Sequence, residues 1–314
     1  MPAVPRSTSR PGRIAQLVER TPEKREVVGS IPTPTTIQQC AEFESAVRIG
    51  GGHVVSWGPM NDSLFDLTGH TAIVTGSTKG IGKAIAYRMA QHGANVVVSS
   101  RKVDACEEVT AEINAAFPGS AISIPCNIGY KDQLQALVDK TVAAFGPVDT
   151  LVCNAAINPY AGPMADIPDE AFDKIMGSNI KSNHWLASMV LPSMKERKTG
   201  SVIIISSVGG LRGTPILGAY AISKAADMQM ARNIAVEYGP HGVRANTIAP
   251  GLIRTDFAKY LWENETILGQ ATSGSALRRI GESDEIAGAA VFLASKAGAF
   301  TTGQTIVCDG GATI

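Results

Sequence analysis

The feature that most constrains this chain is a rhythm of alternating segments. From Thr71 onward, short β-branched runs ("TAIVTG", "ANVVVSS", "AISIPCN", "TLVCNAA", "SVIIISS", "VRANTIAP") alternate with longer alanine-rich amphipathic stretches, and "QTIVCDGG", bracketed by Gly303 and Gly310, reads as a last strand. Short apolar runs without polar alternation suit strands covered on both faces, and the helical stretches between them are the crossovers that parallel strands require. The pattern predicts an α/β fold, a doubly wound parallel sheet in a single domain. In the first crossover, "GIGKAIAYRMAQHG", Ile81, Ala84, Ile85 and Met89 keep helical spacing, and Gly93 stands where a C-terminal cap is expected.

Residues 1–60 do not share this rhythm. They hold seven of the 17 prolines, at positions 2, 5, 11, 22, 32, 34 and 59, and no stretch among them sustains a helical or strand period for long. Disorder is expected for most of them. Arg6, Arg10 and Arg13, with Ser and Thr and no acid, have the composition of an organellar transit peptide but lack its amphipathic face. The stretch "RIAQLVERTPEKREVVGSIPTP" resembles peptides that arise when transfer-RNA gene sequence is translated by mistake, which would make Met60 the true start. The expected division is 1–60, a disordered or artefactual extension, and 61–314, the folded domain.

Composition removes several functions. Lys plus Arg (28) equals Asp plus Glu (28), so no net field draws the chain to nucleic acid or to an anionic membrane surface. Hydrophobic residues reach 44%. The longest apolar runs, such as "VIII" at 202–205, still fall far short of the ~18 residues of a membrane-spanning helix. Cys40, Cys106, Cys126, Cys153 and Cys308 are scattered, odd in number and without a C-x-x-C pair, which argues against a disulfide framework and a zinc site. No metal is expected, and a reducing, cytoplasmic location fits. The C-terminus "GATI" is not a peroxisomal signal.

"TGSTKGIG", residues 75–82, follows the apolar run "AIV" and opens the first helix, so Gly76, Gly80 and Gly82 fall in a strand-to-helix turn. Such a turn lets a pyrophosphate approach the backbone closely, with free N–H groups and the positive end of the helix dipole facing the anion. A tight turn without a ligand would use the same residues. About two dozen residues later the second strand ends in "SSRK", with no acid to meet the ribose hydroxyls. Arg101 offers a guanidinium able to fork onto a 2′-phosphate, and Lys79 a second cation, unless both are plain solvated charges. NADP(H) is expected in preference to NAD(H).

Ser207 lies at the end of "SVIIISS", where an open α/β sheet places its ligands, and Tyr220 follows thirteen residues later at the start of a strongly helical run. Residues at i and i+4 share a helix face, so Lys224 stands beside Tyr220. An ammonium stabilises a neighbouring phenolate, and the pair becomes an acid/base catalyst, with Ser207 as a second donor to a developing alkoxide. An ordinary half-exposed helical pair is the alternative for Tyr220 and Lys224 taken alone.

From about Leu64 to Ile314 the chain resembles the short-chain dehydrogenase/reductase family. The motifs are "TGSTKGIG", "NAA" at 154–156, "SS" with Tyr220 and Lys224, "APG" at 249–251 and "DGG" at 309–311. The resemblance implies a Rossmann-like fold and a catalytic set of Ser207, Tyr220 and Lys224, completed by Asn179 holding a water in a proton relay to Lys224. It also implies that Asn154 and Ala155 border the adenosine, that Lys224 binds the nicotinamide ribose, and that Pro250, Gly251, Ile253 and Thr255 touch the carboxamide. Ser77, Ile81, Ser100, Asn127 and Ile128 complete the residues expected along the cofactor. Two departures stand out: Cys153-Asn154-Ala155-Ala156 replaces the usual N-N-A-G, and Asn127 replaces an aspartate that contacts adenine.

The activity implied is NADPH-linked reduction of a ketone or aldehyde, or its reverse, on a small-molecule substrate. The alternatives are a 3-oxoacyl carrier-protein reductase, for which Arg254, Lys259, Arg278 and Arg279 would form a basic patch, and a catalytically silent dinucleotide sensor. The stretch "APGLIRTDFAKYLWENE" is either a substrate lid using Phe257, Leu261 and Trp262 or an amphipathic helix packed on the core. A homodimer or homotetramer is implied, through helices near Ser182–Met194 and Ala221–Tyr238.

Overall fold

Each β-branched run of the repeating region becomes a strand. In a computed structural model, the residues described are 64–314, together with the backbone of two short strands, β1 (Val47–Ile49) and β2 (His53–Val55). These two pair antiparallel, with Val47 opposite Val55, a piece of regular structure in a region expected to be mostly without it. The remainder of residues 1–60, with the expected disorder and the start at Met60, lies outside the described residues.

The main sheet comprises β3 (Thr71–Thr75), β4 (Asn95–Ser99), β5 (Ala121–Ser123), β6 (Thr150–Cys153), β7 (Gly200–Ile205), β8 (Val243–Pro250) and β9 (Thr305–Cys308). Their spatial order is β5-β4-β3-β6-β7-β8-β9, and every pair is parallel. The seven runs read from the sequence are these seven strands.

Side chains alternate across the sheet, so each strand feeds two cores. Ala72, Val74, Val96 and Val152 meet α1 (Gly80–Gln91), α2 (Val103–Ala116) and α9 (Ser283–Ala294) on one face. Ile73, Val97, Leu151 and Ile204 meet α3 (Lys131–Phe145), α5 (Ser182–Arg197) and α6 (Gly218–Tyr238) on the other. Burial of both faces is why β3 and β6 are unbroken buried runs. The first helix ends as expected, with Gly93 at a positive φ of 96° donating its N–H to the Ala90 carbonyl.

The chain winds outward from β3 to β5, then restarts at β6 on the other side of β3. That reversal opens a crevice at the carboxyl ends of the strands. Three further elements border it. α4 (Asp169–Met176) runs through a π-helical turn, Gly177–Lys181, into α5. α7 (Lys259–Trp262) and α8 (Glu265–Ser273) follow β8. No helix of the described residues is long and apolar enough to cross a membrane.

Candidate active site

A cleft of about 1470 Å³ lies at the carboxyl ends of the central strands, walled by Gly76, Arg101, Asn154, Ser207, Tyr220 and Pro250 among others. It is deep enough to take an extended dinucleotide and a small substrate together.

At one end is the glycine turn between β3 and α1. Gly80 has a φ of +50°, in the left-handed region that glycine enters freely. At Gly82 a Cβ would sit 2.4 Å from both the Gly76 carbonyl oxygen and Asn154 Nδ2. The turn is therefore packed to the limit of glycine, with the α1 N-terminus behind it, and fits a pyrophosphate.

The turn is braced from β6. Asn154 Nδ2 donates to the carbonyls of Thr75 (2.9 Å) and Gly76 (3.1 Å), while Thr75 Oγ1 accepts the N–H groups of Asn154 (3.0 Å) and Ala155 (3.1 Å). Asn154 lines the cleft, but its amide is spent on the backbone. Ser77, expected on the cofactor, is not on the cleft wall. It is fully buried, donates to the Val74 carbonyl at 2.7 Å and accepts the Ser99 N–H at 2.8 Å, so it ties β3 to β4.

Ser100 and Arg101 line the cleft at the end of β4. Arg101 is exposed and has no ion-pair partner among the described residues. Lys79 instead pairs with Asp256 at 2.6 Å, which raises its affinity for a proton through the hydrogen bond and then the charge of that carboxylate. The expected second cation is thus already compensated. Asn127 and Ile128, expected at the adenine, also line the cleft, and the Asn127 side chain accepts the Gly129 N–H at 3.1 Å. Pro250, Gly251, Ile253 and Thr255 also line the cleft.

The chemical end is built on β7 and α6. Ser207 caps the turn after β7, its Oγ accepting the Gly209 N–H at 3.1 Å and keeping its own proton to donate. Tyr220 stands in the first turn of α6, half-buried on the cleft, and a Cβ at Gly209 would meet both Ser207 Oγ (3.4 Å) and Tyr220 Cε1 (4.0 Å). Serine and phenol thus flank one small residue. Lys224, one turn deeper, is 2% exposed, and its Nζ lies 5.7 Å from the Tyr220 ring centre. Nζ donates to the Ile205 carbonyl at 2.9 Å and to Asp227 Oδ2 at 3.0 Å, which leaves one of its three protons uncommitted.

The chain is similar to known proteins over most of its length. A family model described as enoyl-(acyl carrier protein) reductase matches residues 76–313. The dehydrogenase/reductase SDR family member 4 of Sus scrofa is 37% identical over 278 residues, 88% of this chain and 96% of its own length. The chain belongs to the short-chain dehydrogenase/reductase family. A second relative is the human dehydrogenase/reductase SDR family member 2, mitochondrial, 38% identical over 78% of this chain and 86% of its own. Among solved structures, a short-chain type dehydrogenase/reductase from Mycobacterium marinum superposes with a TM-score of 0.73 at 34% identity, covering 80% of this chain and 97% of that one. A gluconate 5-dehydrogenase from Burkholderia cenocepacia J2315, in complex with NADP and tartrate, gives 0.76 at 29% identity, covering 80% and 97%. A 7α-hydroxysteroid dehydrogenase, complexed with NADH and a 7-oxo bile acid, gives 0.75 at 35% identity, covering 79% and 96%.

As a short-chain dehydrogenase/reductase, the protein is a nicotinamide-dinucleotide-dependent oxidoreductase acting on a small molecule. Asn179, expected to complete the set, is fully buried in the π-helical turn rather than on the cleft wall. Its side chain accepts the Ile157 N–H (2.9 Å) and donates to the Ile157 carbonyl and Ser223 Oγ (both 3.0 Å). Its own carbonyl accepts Asn183 Nδ2 at 2.7 Å. Thr75, Asn183 and Asp227 were not anticipated as site residues. The signal for Asp227 was the spacing "KAAD", an acid one helical turn beyond a lysine on a face otherwise headed for the core.

Proposed function

We propose that this enzyme is an NADPH-linked reductase of ketones or aldehydes that also runs in the reverse direction. The observation that carries the reading is the placing of Ser207, Tyr220 and Lys224 on one wall of the dinucleotide-sized cleft. A reduced nicotinamide supplies the hydride when bound. Tyr220 gives its phenolic proton to the oxygen that becomes an alkoxide, and Ser207 donates a second hydrogen bond to the same oxygen. Lys224, with one N–H uncommitted, stabilises the phenolate left behind. Gly76, Gly80, Gly82 and the α1 N-terminus would hold the pyrophosphate, and Ile253, Thr255 and Pro250 would border the nicotinamide.

The uncompensated Arg101 at the end of β4 supports NADPH over NADH, since a bidentate guanidinium matches a 2′-phosphate. The lid reading of the segment after β8 is supported by Phe257 and Leu261, which line the cleft, and by the 5.9 Å between the Phe257 and Tyr220 ring centres. Trp262 is turned to other work: its Nε1 donates to the Thr255 carbonyl at 2.9 Å. An acidic carrier finds little to bind here. Arg254 pairs with Glu282, Lys259 with Glu263 and Arg279 with Glu285, which leaves Arg278 as the one member of the basic patch without an ion pair among the described residues. Ile222 and Val236, exposed on α6, support assembly as a homodimer or homotetramer. The free cysteines at 106, 126, 153 and 308 suit a reducing cytoplasm.

The test is a titration with NADPH and NADH separately, followed by NADPH oxidation over a panel of ketones, aldehydes and oxoacyl thioesters. Tight NADPH binding with turnover on simple carbonyls is expected. Turnover on thioesters alone would move the substrate to oxoacyl chemistry, and binding without any turnover would mark a sensor.

A further inference from the structure

We propose that Asp227 is a positioning residue that holds the Lys224 ammonium from behind the cleft, fixing where it points and keeping it charged. The inference rests on Lys224 acting beside Tyr220, as set out above.

Asp227 and Lys224 form a salt bridge of 3.0 Å in which the two side chains are 0% and 3% exposed. The second carboxylate oxygen, Oδ1, accepts Asn183 Nδ2 at 3.1 Å, and the same amide donates to the Asn179 carbonyl at 2.7 Å. One line of contacts therefore runs from the π-helical turn through Asn183 and Asp227 to Lys224, locking α5 to α6 immediately behind the acid/base pair. A carboxylate out of reach of solvent is tolerated only when paired and hydrogen-bonded, and this one is both.

The groups facing the Lys224 ammonium are Tyr220 and Asp227 on its own helix and the Cys153 thiol at the end of β6. β7 contributes the neutral Ile205 carbonyl and α5 the neutral Asn183 amide, and Lys174 of α4 lines the same cleft. Burial by itself pulls the Lys224 amine toward the neutral form. The Asp227 charge, Tyr220 and the hydrogen bond to Asp227 outweigh it and hold the amine above the usual lysine range. Burial pushes the Asp227 carboxyl up, against the pull of Lys224 and Asn183. Burial first, and then Asp227, push the Cys153 thiol far up, so it stays neutral. Asp227 is the only carboxylate in this set, and it is the counter-charge without which the buried ammonium would face one carbonyl and a phenol.

The experiment is NMR of the full-length chain carrying ¹³C at lysine Cε, with the Lys224 signal assigned by Lys224→Met, titrated in the wild type and in Asp227→Asn. In the wild type the signal should stay that of an ammonium beyond the range of the surface lysines. In Asp227→Asn it should titrate at least one pH unit lower, about tenfold in proton affinity. Where turnover is found, the alkaline limb of kcat/KM for carbonyl reduction should move down with it, kcat should fall about tenfold or more, and NADPH affinity should change far less. Asp227→Glu, which restores the charge, should recover the limb. Coincident Lys224 titrations in the two proteins would overturn the proposal. So would a wild-type Lys224 that loses its proton below the ordinary lysine range, a result that needs no folded variant. Absence of turnover on every carbonyl would count against the reductase reading and leave the NMR result to decide Asp227.

Discussion

Tyr220 is half-buried, flanked by Ser207, and one turn above an ammonium whose other contacts are a carbonyl and a carboxylate, and the proposed reaction makes it the proton donor. Tyr220→Phe keeps the ring and its packing on Phe257, so turnover should fall by roughly 10²–10⁴ while NADPH affinity, measured by fluorescence titration, stays nearly level. Retained turnover would remove Tyr220 as the proton donor. At the other end of the cleft, Arg101→Asp should weaken NADPH more than NADH in the same titration, because only NADPH carries the phosphate that a guanidinium would fork onto. Equal losses would leave Arg101 as a surface charge.

At the scale of elements, the turn between β3 and α1 leaves no room for a side chain at Gly82. Gly82→Ala would drive a methyl into the Gly76 carbonyl and the Asn154 amide, both 2.4 Å from its position. The expected cost is roughly 1–3 kcal/mol of stability, read as a lower denaturant midpoint, together with loss of dinucleotide binding. Normal binding would show that the turn can open. α9, which packs behind α1, is fastened at its start by a capping box between Glu282 and Glu285 and by the ion pair of Glu285 with Arg279. The hydrogen bond from Arg279, followed by the Glu282 N–H, holds the Glu285 carboxyl at about 2. Its folded-state value lies below its unfolded one of 4.5, so its contribution is fully present above that value and is lost as pH falls through about 2. Glu285→Gln should therefore lower Tm at pH 7 and converge on the wild type near pH 2. A constant gap down the pH range would assign the effect to something other than this charge.

For the whole molecule, Asn61–Ile314 forms one compact unit. A chain beginning at Met60 should keep NADPH binding and shift Tm by no more than about 2 °C. A larger loss would show that the preceding residues support the domain. The strands were legible because a doubly covered parallel sheet demands unbroken apolar runs, and "TAIVT", "TLVC" and "SVIII" carry that demand in their composition. That the glycine turn, Ser207, Tyr220 and Lys224 all lie at the strand ends was legible for a related reason: each position depends on local spacing within one turn or one helix. The bracing role of the Ser77 hydroxyl was not legible, because the sequence cannot say whether a hydroxyl in a turn faces outward or ties down the next strand.

The order of strands and helices, and the residue types presented at the strand ends, were written in the chain, since both follow from periodicity and short-range steric needs. Only the tertiary structure decided how those groups are wired. Asn183 and Asp227 lie 44 residues apart and meet on facing helices. Lys79 meets Asp256 across 177 residues. Burial and counter-charge, which decide whether an amine remains an ammonium, arise from packing between such segments, and no local pattern carries that information.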